Sequence, residues 1–100
     1  MEEIKVIEQC HGFQWDSGNT EKNWINHWVS CSECEEVFFN DPLLLFEDAK
    51  HSRSEVRHYV LGKTNEGRKL FIAFTVRQAL IRIISARDMN KKERSIYERI

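Results

Sequence analysis

The chain reads as an α+β domain: a short strand, two helices, an antiparallel sheet of three or four strands and a closing helix. Three observations carry that reading. Before Pro42 apolar residues recur at helical spacing, and after it they alternate or run together as in strands. The one proline stands in "NDP", a turn signal at the point where the period changes. Past it, segments rich in β-branched and aromatic residues are separated by turn signals and followed by a charged segment of helical period. Helices laid against one face of a sheet satisfy this order.

Each element has a local reason. "GFQW" is a short first strand, and "DSGNT" offers N-cap residues before "EKNWINHWV", where Trp24, Ile25, Trp28 and Val29 fall on one helical face. In "NHWVSCSECEEVFF", Ser30 followed by Glu33 is a capping box, and Val29 with Cys34 forms a hydrophobic staple. Cys34, Val37 and Phe38 extend that stripe, which predicts a helix over 31–39 ended by Asn40, Asp41 and Pro42. Four strand segments follow: "LLLFE", "EVRHYVLG", "LFIAFTV" and "ALIRIISA". "GKTNEGRK" is a glycine-bounded hairpin loop, whereas the turn at "VRQA" has no glycine. Asp88 is the expected N-cap of the last helix, with Met89, Ile96 and Ile100 on one face.

One hundred residues with 41% hydrophobic content suffice for a single domain over 1–100, with its core at 11–99. No apolar run approaches the roughly 18–20 residues of a membrane span, and "MEEIKVIEQC" lacks the basic start and apolar centre of a signal peptide. Three cysteines with a single CxxC fit a reducing compartment, so the expected location is the cytoplasm. The net charge of -1 conceals a division. Up to Asp48 there are eleven acids and two bases; from Ala49 onward there are thirteen bases and five acids. A basic second half suits a polyanion, unless the two halves simply neutralise each other across the fold.

Two constellations could carry chemistry. Cys10, His27, Cys31 and Cys34 would make a zinc ligand set on paper, but a single CxxC with no glycine knuckle is a poor match to zinc ribbons. A redox CxxC at the start of a helix is the other sharp reading, although thioredoxin-like folds place it after a strand. The plainer reading makes Cys34 a small core residue and Cys31 a partly exposed neighbour. The second constellation is arginine. In "SEVRHYVLG", Glu55, Arg57 and Tyr59 share one face, while Val56, His58 and Val60 share the other. Arg82 interrupts an apolar strand, so it must meet an acid, solvent or an anion; Arg77 and Arg87 bracket that strand. Three arginines on adjacent strands could grip a phosphodiester bidentately, and Tyr59 could stack on a base. The alternative is a Glu55–Arg57 surface pair with solvated arginines elsewhere.

Taken in order, "FQWD", "KNWINHWVS", "EEVFFNDP", "EVRHYVLGKTNEGR", "LFIAFTV" and "IRIISARDMNKKERSIYE" resemble the BrnT-type toxins of bacterial type II toxin-antitoxin systems. The resemblance covers about Phe13 to Glu98 and is most specific in the final segment. It implies a RelE-like fold, RNA cleavage that halts translation without metal or cofactor, and neutralisation by a BrnA-like antitoxin. Operator DNA would be bound only through that antitoxin. By position, Arg57, Arg82 and Arg87 match recurrent basic residues of the family, Trp15 and Asp16 match its opening "WD", and His27 matches the histidine of "KHG(V/I)S". Two departures fall in that motif, where the family lysine is Asn26 and its glycine is Trp28; Lys22, one helical turn before Asn26, could substitute for the lysine. The expected catalytic set is Arg57 and Arg82 on the phosphate, with Glu55 or His27 moving the proton. Lys22, Tyr59, Arg77 and Arg87 would hold the RNA. A binding module of the same fold that has lost turnover is the alternative.

Overall fold

The computed structural model describes residues 6–20, 27–51 and 54–100. Its elements are β1 (Gly12–Gln14), α1 (Cys31–Val37), β2 (Leu44–Glu47), a 3-10 turn (Ala49–His51), β3 (Arg57–Lys63), β4 (Lys69–Arg77), β5 (Leu80–Asp88) and α2 (Lys91–Glu98). Residues 6–8 and 17–20 are also helical. The α+β class is as expected, but the sheet has five strands in the order β1-β5-β4-β3-β2 and is mixed. β1 runs parallel to β5 at one edge, with Gln14 opposite Arg82, and every other pairing is antiparallel.

The two helices do not share a face of this sheet. Side chains alternate along a strand, so Val60 and Leu61 point to opposite sides. Val60 joins Cys34, Val37 and Phe38 of the α1 layer together with Ile72, Phe74, Ile81 and Ile83. Leu61 joins Met89 and Tyr97 under α2, with Leu44, Phe46 and Phe71 at their margin. The expectation of helices on one side fails because β3 and β4 are apolar on both faces, and each face needs a cover. α1 lies so close to β3 that a Cβ on Gly62 would come within 2.6 Å of Val37 Cγ1.

Short-range signals hold well. Ser30 Oγ accepts from the Glu33 amide at 3.1 Å and Glu33 Oε1 accepts from the Ser30 amide at 3.0 Å, which completes the capping box. Val29 and Cys34 are both buried in the α1 core, as the staple requires. Burial pushes the Cys34 thiol up to about 12, so at neutral pH it is a small apolar group. Cys31 is half-buried against Thr20 Oγ1, and the Cys10 thiol donates to the Val6 carbonyl.

Three other expectations are corrected. The cap of α2 is Asn90, whose side chain accepts from the Glu93 amide at 2.8 Å, while Asp88 remains the last residue of β5. The residue that α2 buries is Tyr97, whose hydroxyl donates to the Pro42 carbonyl at 2.6 Å; Ile96 and Ile100 are exposed. Of the helical face drawn through Trp24, Ile25, Trp28 and Val29, the first two lie outside the described residues. Trp28 does not continue it, since its φ of 56° is left-handed and Val29 and Ser30 follow outside any helix. At "VRQA", Gln78 and Ala79 carry φ of 51° and 61°, the geometry of a two-residue hairpin that ordinarily selects Asn-Gly.

β5 also contains a bulge. Ala73 pairs with Ser85 and Phe74 with Ile83, so Ile84 is an extra residue. Arg82 and Arg87, five apart, would face opposite ways in a regular strand. The extra residue returns them to one face, the side on which α2 packs.

Candidate active site

On the α2 side of the sheet, α2 covers only one end. At the other end Arg57 of β3, Thr75 of β4 and Arg82 of β5 stand directly opposite one another across three strands. They line a cleft of about 310 Å³ with His51, Ser54, Glu55, Arg77 and Ile84. Thr75 is buried between the two arginines, and its hydroxyl donates to the Val56 carbonyl at 2.9 Å, tying the start of β3 to β4.

The cleft balances each cation with a carboxylate from another segment. Arg77 donates to both Glu55 oxygens at 2.7 Å. This bidentate contact holds the Glu55 carboxyl below the usual range for glutamate. Arg82 Nη1 lies 2.8 Å from Asp16 Oδ2, and that guanidinium likewise lowers Asp16. Arg57 Nε is 4.0 Å from Asp48 Oδ2. Glu55 therefore pairs with Arg77, not with its neighbour Arg57, because it sits just before β3 and outside the alternation expected there.

The "WD" pair has a structural account. Trp15 Nε1 donates to Glu35 of α1 at 2.8 Å. Asp16 and Asn19 exchange amide-to-side-chain hydrogen bonds at 2.8 and 3.1 Å, and the buried Asn19 amide donates to the Gln14 and Ile83 carbonyls. Asn19 thus staples β1 to β5 and holds the Asp16 carboxylate toward Arg82.

Arg57, Arg77, Arg82 and Glu55 come together; the other expected residues do not join them. Lys22 and Asn26 lie outside the described residues. Tyr59 is stacked between Phe46 at 4.9 Å and Phe71 at 5.1 Å, which places its ring in an aromatic row of the sheet away from the arginine cleft. Arg87 lies over the Phe71 ring at 4.1 Å and binds Glu93 with both terminal nitrogens at 2.8 and 3.0 Å, which anchors α2. His27 is on the α1 side of the sheet near the opposite end of the strands. There Arg68 donates to the His27 carbonyl at 3.1 Å, the Trp28 carbonyl at 2.8 Å, Glu33 at 3.1 Å and Asp88 at 2.7 and 3.1 Å. Sequence reasoning missed Arg68, which gathers the "HW" turn, α1 and the end of β5. It also missed His51, Asp48 and Asn19, whose one available signal was placement next to turn residues.

The protein is thus a small α+β domain with an arginine-lined, carboxylate-balanced cleft beside a three-strand row. Residues 15–93 match the family model of the ribonuclease toxin, BrnT, of type II toxin-antitoxin systems, and the chain belongs to that family. No curated protein matches it. No helix among the described residues is long and apolar enough to cross a membrane.

Proposed function

We propose that this chain is an endoribonuclease that cleaves RNA by in-line attack of a ribose 2′-hydroxyl on the adjacent phosphodiester. The observation that carries the reading is the row of Arg57, Thr75 and Arg82 with Arg77 at its rim, three guanidinium groups around one cleft. Arg57 and Arg82 stabilise the charge that develops on the phosphate, where preorganised donors matter most. Arg77 holds the backbone without reading sequence. The arginines supply the positive charge, so the reaction uses no metal or cofactor. Cleavage halts translation in the cytoplasm, and a BrnA-like antitoxin neutralises the toxin and carries the pair to operator DNA. The whole chain, 1–100, acts as one domain.

A second reading has its own support. Every arginine of the cleft already faces a carboxylate, and Trp28 holds a left-handed conformation, so the chain would be a binding module without turnover. Induced expression in a bacterial host separates the two. Growth arrest with RNA cleavage, lost in a folded Arg57→Ala variant and retained by purified protein in chelator, is the expected result. Normal growth with intact RNA at confirmed soluble expression sinks the nuclease.

A further inference from the structure

Among the described residues that line the cleft, the one imidazole is that of His51. His51 ends the 3-10 turn between β2 and β3. Its Nδ1 is 2.8 Å from Asp48 Oδ2, and its amide donates to the Asp48 carbonyl at 3.2 Å. The Asp48 amide in turn donates to the Arg57 carbonyl at 2.7 Å, so the His51–Asp48 pair is tied to the strand that carries Arg57. A carboxylate against Nδ1 keeps the proton on that nitrogen and presents Nε2 as the acceptor. Neither of the other candidates is so placed. Both Glu55 oxygens are engaged by Arg77, and His27 lies on the other face of the sheet.

Building on the ribonuclease reading, we propose that His51 is the catalytic proton acceptor of the cleft and that Asp48 is its positioning residue. The imidazole Nε2 takes the proton of the 2′-hydroxyl as the O2′–P bond forms and the P–O5′ bond breaks. The leaving 5′-oxygen takes a proton from water, and the hydroxide so formed is neutralised by the proton that His51 gives up. The products are a 2′,3′-cyclic phosphate and a 5′-hydroxyl, with no net change in protons. His51 is 58% exposed, as a group that must reach an incoming strand requires.

The test uses the full chain and a messenger RNA in a reconstituted bacterial translation mixture, with and without ribosomes. His51→Ala should lower the single-turnover cleavage rate by about 100-fold or more. Its affinity for the all-deoxy analogue of the RNA should be unchanged, and added imidazole should restore part of the rate. The same imidazole should do nothing for Arg57→Ala. Asp48→Asn should fall between His51→Ala and the wild type, with its pH–rate profile displaced, whereas His27→Ala should cleave normally. Circular dichroism of each variant, with His51→Gln as the milder change, checks folding. Wild-type rates in folded His51→Ala, with Arg57→Ala inactive, overturn the proposal and leave the ribonuclease reading standing. Absence of cleavage by the wild type overturns both.

Discussion

At one end of β5, Arg87 lies over the Phe71 ring and closes on Glu93; at the other, Arg82 meets Asp16 beside an open cleft. Both arginines point to the same side of the sheet, and both form short ion pairs. Their partners differ: the Glu93 side chain is 15% exposed, the Asp16 side chain 51%. A phosphate can displace an exposed carboxylate at small cost, because water compensates the released group. Displacing Glu93 would strand a partly buried charge and undo a capping box, since the same carboxylate also accepts from the Asn90 amide. Equal chemistry thus yields an anchor where a helix covers it and an exposed, exchangeable ion pair where none of the described residues does.

The sharpest way to break the comparison is to truncate each arginine. Arg82→Ala should reduce RNA cleavage by about 100- to 1,000-fold, roughly 3–4 kcal/mol of transition-state stabilisation, with little change in urea midpoint. Arg87→Ala should do the reverse, losing about 1.5–3 kcal/mol of stability while the folded fraction retains its turnover. Equal losses of activity would show that the two ends are not separate.

A smaller effect lies in the turn that Arg68 holds. Trp28 is 67% exposed in a left-handed conformation that costs an L-residue roughly 1–2 kcal/mol and glycine little. Trp28→Gly should therefore raise the unfolding free energy by about 1 kcal/mol, less the entropy glycine adds to the unfolded chain. A fall in the urea midpoint would mean that the indole makes contacts worth more than the strain.

The smallest expected effect is that of acid. Asp16 and Glu55 are lowered chiefly by their hydrogen bonds to Arg82 and Arg77. Their folded values lie below the unfolded ones, so this contribution is complete at neutral pH and disappears as pH falls through the depressed values. Urea midpoints should drop on acidification below the ordinary carboxylate range, and less steeply in Glu55→Gln. Parallel curves for variant and wild type would remove Glu55 from the account.

What could be read from the sequence followed the range of the interaction. The Ser30–Glu33 box, the Val29–Cys34 staple and the alternation in β3 from Arg57 to Val60 depend on neighbours within a few residues, and they stand as read. The parallel pairing of β1 with β5 joins residues nearly seventy positions apart, and no local pattern reports it. Arg57, Arg77 and Arg82 were legible as cations in strands, but Asp16 and Asp48 were not legible as their partners, because Asp16 reaches Arg82 from the far end of the chain and Asp48 reaches Arg57 through the fold of a turn. The partners of Tyr59 and Arg87 were hidden for a related reason. An aromatic or a guanidinium in a strand looks the same whether RNA or Phe71 is its neighbour.

The extra residue in β5 makes the strand keep two counts. From Leu80 to Ile83 the odd positions face α1, and from Ser85 onward the even positions do, with Ile84 as the change of parity. Cleft and anchor are thereby phased independently along one strand. A deletion at Ile84 would leave the composition of both ends intact and still turn one of them inside out, so a deletion should be poorly tolerated at a residue that makes neither ion pair.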